Sequence, residues 1–298
     1  MRIFFLLFLV LLPEQAVAWG PGVHLALGSQ VLASVQYLSS VVASAICAYP
    51  QVFLYGSLSA DIFIGKGCRF TPTHSHNWSL GFDLLKGAES PRQQAYAYGY
   101  LAHLAADVIA HNYFVPNMLG ILPMPGKMAH VFVEMQADRE VCQDFRMVKN
   151  IFRATRAEDQ NLLALMNKNN LPFLLKKQIF RGSVLLGGQK NYHRSLDAAR
   201  IILPTSLRQR YLRRMLSLSA SVVFDVLQNS HQAVVCGFDP IGSENLRKIR
   251  NLRRQKDSLR SRRGFLFPVS SCLRDLQGDF LGASFSVPLD NQPDSVFL

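Results

Sequence analysis

His103, Asp107 and His111 stand four residues apart in the stretch 100–111. On an α-helix of 3.6 residues per turn these positions stack along one face. The Leu, Ala and Ile between them are helix formers or small packers, and no Gly or Pro interrupts the run. Such a helix carries three metal-competent side chains in apolar surroundings, where every polar group needs a partner. A second stretch repeats the design, because His130 and Glu134 are also four apart on a helix predicted over 129–139. Two helices that present His and carboxylate to each other can build a multinuclear zinc site. The fold class that accommodates this is all-α and multi-helix.

The N-terminal segment carries Arg2, an apolar run over 3–12 and the small residues Ala16, Val17 and Ala18. This is the pattern of a signal peptide over 1–18, and its apolar run is too short to span a bilayer. Cleavage after Ala18 makes Trp19 the new N-terminus, and the expected localisation is exported, periplasmic or secreted. No other stretch reaches about 18 uninterrupted apolar residues, so no transmembrane segment is expected. The formal net charge of +12 survives cleavage, because Arg2 and Glu14 cancel. A basic exported protein suits anionic partners: phospholipid head groups, phosphodiesters or nucleic acid. The five cysteines (Cys47, Cys68, Cys142, Cys236, Cys272) show no CxxC spacing, which argues against a Cys-zinc site. Export permits one or two bridges, an odd count leaves one thiol over, and unpaired thiols remain an equal reading.

The remaining stretches supply scattered polar candidates. An apolar-periodic segment over 24–48 reads as a helix ended by Pro50, with His24 at its start as a surface or capping residue. Asp61 follows a Gly-Ser turn signal within an apolar stretch and reads as a helix cap or a ligand, with the cap favoured. His74 and His76 sit on a loop before a helix expected over 78–85, and a His-x-His pair chelates from an extended loop. The central helix is expected over 92–114, with Tyr96, Tyr98 and Tyr100 as packing groups. Beyond it, helices are expected over 144–166, 171–186, 191–202 and 207–231. His193, Asp197, Asp225 and His231 read as caps or satisfied core groups.

Taken together, Trp19, His24, Asp61, His76, His103, Asp107, His111, His130 and Glu134 form an ordered set. In order and type it resembles the zinc-dependent phospholipase C family. That family includes the bacterial phosphatidylcholine-hydrolysing enzymes, the catalytic domain of alpha-toxin and the N-terminal domain of glycosylphosphatidylinositol-specific phospholipase D. The resemblance covers 19–139 and implies an all-α domain with about three zinc ions. It implies that Trp19, through its free amine and carbonyl oxygen, and His24 hold one zinc. His76 and His103 hold a second, with Asp61 as ligand or water-activating carboxylate. Asp107 bridges these two, and His111, His130 and Glu134 hold the third. His76 is preferred to His74 because His76–Asn77–Trp78 is closer to the family's His-aromatic-Trp start. The four-residue gap from Asp107 to His111 is that of the phospholipase D branch, and the short Trp19–His24 gap is more like that of the fungal zinc nucleases.

The implied activity is phospholipase C, a phosphodiester hydrolase acting on phospholipid at a membrane surface by metal-activated water, with Asp61 as catalytic base. The alternatives are a single-strand-specific zinc nuclease of related fold, which would bring in nucleic acid as partner, or a non-catalytic metal- or lipid-binding protein. No Gly-x-Ser-x-Gly motif or phosphate-cradling Gly-rich loop is present. Three parts are expected: the signal peptide (1–18), a helical domain (19–240), and a basic segment with a poorly ordered tail (241–298). The basic run 246–263 reads as a solvated face or as a contact to anionic lipid, and it lacks interleaved aromatics for base stacking.

Overall fold

Helix α5 (Pro91–Ile109) is buried along nearly its whole length, and the other helices pack around it. The computed structural model describes residues 19–63, 74–122, 126–141, 148–153, 155–187, 206–254 and 266–276. The signal-peptide segment, Cys68, Cys142, His193 and Asp197 lie outside these residues, as does the helix expected over 191–202. Among the described residues there is no strand, and the architecture is all-α. No single helix among them is long and apolar enough to cross a membrane.

The elements before α5 are α1 (Pro21–Ala33), α2 (Ser40–Ala48), α3 (Pro50–Ser59), a 3-10 turn (Ala60–Phe63) and α4 (Trp78–Lys86). After α5 come a π turn (Ala110–Phe114), α6 (Val115–Ile121), α7 (Gly126–Glu140), α8 (Val148–Ile151), α9 (Arg156–Met166) and α10 (Asn170–Gly187). The chain continues through α11 (Ser206–Asn229), α12 (Ser243–Arg254) and α13 (Ser271–Asp275). Helix α5 starts where Ser90 accepts a hydrogen bond from the Gln93 amide and Pro91 presets the first turn. Its closest neighbour is α3, where two glycines meet. A Cβ on Gly56 would lie 2.2 Å from the Tyr96 carbonyl oxygen, and one on Gly99 would lie 2.0 Å from that of Phe53. The two backbones therefore touch, and this holds the turn after α3 against the middle of α5. Helices α2, α4 and α11 complete the shell around α5.

Several expected boundaries are corrected. The helix expected over 24–48 is two helices, α1 and α2, separated by a 3-10 turn (Val35–Tyr37). One straight helix of that length would run about 37 Å. Instead Leu38 turns into the core, and Val42, Ala45 and Ile46 are buried on α2. The helix expected over 144–166 is likewise broken before Arg156, where the buried Thr155 hydroxyl accepts a hydrogen bond from Lys177. The tail is ordered at 266–276. Asn117 bonds both the amide (2.9 Å) and the carbonyl oxygen (2.9 Å) of Phe267, and Leu273 is fully buried. Of the four histidines and acids read as caps or core groups, Asp225 accepts from Asn229 (2.7 Å) and the Val234 amide (2.9 Å). His231 stacks on Phe82.

Candidate metal centre

Asp107 sits at mid-core with no exposed side-chain surface, and histidines from three parts of the chain converge on it. His24 of α1 places Nε2 3.2 Å from Asp107 Oδ1. His76, from the loop before α4, and His103 of α5 place Nε2 3.1 Å and 3.3 Å from Oδ2. Asp61, on the 3-10 turn after α3, faces the same two rings, 3.2 Å from His76 and 3.7 Å from His103. Ligand-capable atoms of Asp61, His76, His103 and Asp107 all lie within 4.8 Å of one another. The expectation that Asp61 caps a helix is therefore corrected: it is buried within a 3-10 turn and faces inward. His24 is likewise no surface residue, being 2 % exposed.

The imidazoles are oriented from behind. The Nδ1 of His103 lies 2.9 Å from the Ser57 carbonyl oxygen, that of His111 2.6 Å from the Pro240 carbonyl oxygen, and that of His76 3.1 Å from Ser75 Oγ. Nδ1–H donation to the two carbonyls leaves Nε2 of His103 and His111 as a lone pair, the form a metal takes. Tyr100 donates from its hydroxyl to the Ser75 carbonyl and so fixes the loop that carries His76. The π turn that follows α5 contains His111 and sets its direction, which a plain i, i+8 spacing does not describe. Gly242, at φ +59, lies against the His111 carbonyl where any Cβ would come within 2.4 Å.

Glu134 lies on α7 and is buried. Burial, together with the negative fields of Asp61, Asp138 and Asp107, holds its carboxyl well above the usual range. The backbone of His130 is in the same helix, and its side chain lies outside the described residues. Trp19 is fully buried; its indole donates to the carbonyl of Ala106 (3.1 Å), the neighbour of Asp107, and stacks on Phe114. Asp138 was not anticipated. It accepts from the Val23 amide (2.9 Å), and it fills the space that side chains at Gly20 and Gly22 would take. It therefore anchors the first turn after Trp19. The signal was available: His130, Glu134 and Asp138 repeat the i, i+4, i+8 spacing of the central helix.

His24 Nε2 and both oxygens of Asp61 and of Asp107 are buried without a hydrogen-bond partner. Two buried carboxylates side by side are an unfavourable arrangement unless a cation, either a protonated ring or a metal ion, is shared among them. The mixed N and O donor set fits zinc. A family model described as zinc dependent phospholipase C matches residues 23–179, more than half of the chain. The chain belongs to the zinc-dependent phospholipase C family. No curated protein and no solved structure matches it.

Within this cluster His74 and His76 are not equivalent. His74 Nδ1 accepts the His76 amide at 3.1 Å, and burial, with the His76 ring beside it, pushes the pKa of His74 down to about 4. It is a support for the loop. His76→Ala is therefore expected to lower zinc affinity by about 100-fold or more, and His74→Ala by about tenfold or less. Zinc titration of the two variants checks the order.

The metal-free site also binds protons. Burial lowers the pKa of His76, but the Asp107 and Asp61 carboxylates outweigh it and raise it to about 10. Zinc must then expel a proton from His76, so its affinity rises with pH across the neutral range. Titrations at pH 6 and pH 8, in buffers of different ionisation enthalpy, are expected to show proton release and tighter binding at the higher pH.

Proposed function

We propose that this protein is an exported zinc phosphodiesterase of the phospholipase C type that releases phosphorylated head groups from phospholipid. The observation that carries the reading is the convergence of His24, His76, His103 and Asp61 on one buried aspartate, in a chain of this family. About three zinc ions are held by Trp19, His24, Asp61, His76, His103, Asp107, His111, His130 and Glu134. When bound, zinc activates water at neutral pH and neutralises phosphodiester oxygens. Asp107 turns one oxygen toward His24 and the other toward His76 and His103, so it ties two positions together. Asp61 orients the attacking water and takes its proton on a carboxylate oxygen. The core around α5 keeps these groups out of bulk water, and in that low-dielectric interior their charges act more strongly.

Zinc content per chain, measured on the same sample as hydrolysis of phosphatidylcholine and of single-stranded DNA, tests this. About three zinc ions with phosphocholine release are expected. DNA cleavage alone would assign the chain to the nucleases, and zinc without either reaction would make it a binding protein. The part given to the Trp19 amine has its own check. One extra Ala before Trp19 is expected to remove about one zinc and most of the activity, and an unchanged zinc content and rate would take Trp19 out of the ligand set.

A further inference from the structure

Helix α10 is apolar on two faces. Inward, Phe173, Phe180 and Val184 are buried. Outward, Leu171, Leu174, Leu175 and Ile179 are 81 %, 44 %, 65 % and 59 % exposed. Their spacing of i, i+3, i+4, i+8 puts them on one stripe. The other exposed large hydrophobics among the described residues, Tyr37, Val41, Ile121, Leu165 and Val234, lie on other elements. Scattered apolar residues are ordinary, but a contiguous stripe marks a contact surface.

Charge and position say what the stripe meets. No Asp or Glu occurs between Asp159 and Asp197, whereas Lys168, Lys176 and Arg181 fall within this stretch. Lys177 is turned inward, where its ammonium meets Asp159 and Thr155. An apolar stripe flanked only by cations is the pattern of a helix lying in the interface of an anionic bilayer. The helix also adjoins the metal centre. Phe173 stacks on Phe63 (5.0 Å between centroids), in the turn that carries Asp61. We propose that α10 docks the protein on anionic phospholipid bilayers, with Leu171, Leu174, Leu175 and Ile179 entering the interface and the metal centre held beside the lipid head groups. This rests on the phospholipase reading for the identity of the surface. It places the lipid contact on a different helix from α12, which carries the described part of the basic run and where Arg253 donates to the carbonyls of Leu119 and Leu122.

The test compares the full chain, expressed with its own leader in an exporting host, with its Leu175→Ser/Ile179→Ser variant. Binding to vesicles of phosphatidylcholine doped with phosphatidylglycerol is expected to weaken by about tenfold or more. Zinc content and the hydrolysis of a monomeric, short-chain phosphatidylcholine are expected to stay unchanged, which separates lost docking from lost folding. In a second variant, Leu175→Trp, fluorescence is expected to shift to the blue on vesicles and to be quenched by brominated lipid. Equal vesicle affinity of parent and Ser variant, or a Trp signal indifferent to vesicles, would overturn the proposal. So would a Ser variant that merely dissociates a dimer, since a second copy would then be the occupant. If no phospholipid is hydrolysed but the Ser variant still leaves vesicles, docking stands and the substrate reading falls.

Discussion

Asp107→Asn is expected to leave a folded chain that has lost about two of its zinc ions and hydrolyses substrate about 10³-fold more slowly or worse. The carboxylate is shared: Oδ1 faces His24, and Oδ2 faces His76 and His103. Asn preserves shape and one acceptor but removes the charge that a cation between these rings needs. It also turns an amide donor toward one side, where a metal accepts nothing from N–H. Asp61 cannot take over, since it already faces His76 and His103 from the other side. Metal analysis and initial rates on the same preparation check this, and full zinc with full activity would end the bridging assignment.

Gly99→Ala is expected to destabilise the fold by about 3 kcal/mol or more. The added methyl would sit 2.0 Å from the Phe53 carbonyl oxygen. Backbone is the obstacle here, not the end of a flexible side chain, so relief requires α3 and α5 to move apart. That movement also draws Asp61, which follows α3, away from His103 on α5. A fall in the denaturation midpoint is therefore expected together with weaker zinc binding. An exposed control, Ser79→Ala, leaves both unchanged, because the amide that donates to the Asn77 cap belongs to the backbone and is kept.

The central helix was legible because its chemistry repeats at helical spacing: His103 and Asp107 fix a face, and the small residues around them allow neighbours close. The same logic read α7 and the length of α10 and α11 to within a few residues. What was not legible depends on distant chain. His24 looks like a lone histidine in sequence, and only the packing of α1 toward Asp107 makes it part of the cluster. Asp138 acts on the backbone of Val23, 115 residues away. The π turn at His111 is decided by what packs on it, the loop ending in Gly242 and helix α12, and not by local propensity. The order at 266–276 comes from Asn117, on α6, whose side chain was unremarkable in sequence.

The contact between His111 and Pro240 also bears on when the centre can be assembled. The two residues are 129 positions apart. At a synthesis rate of about 5–20 residues per second, Pro240 follows His111 by roughly 6–26 s. During that interval His103, Asp107 and His111 exist in the growing chain, but the carbonyl that turns His111 has not been made. A zinc ion captured then would meet a ring free to rotate. The matched segment 23–179 holds all the proposed donors except those of Trp19 but lacks the carbonyl that aims His111, so even a fragment that starts at Trp19 and ends at 179 is expected to bind metal in the wrong number or with low affinity.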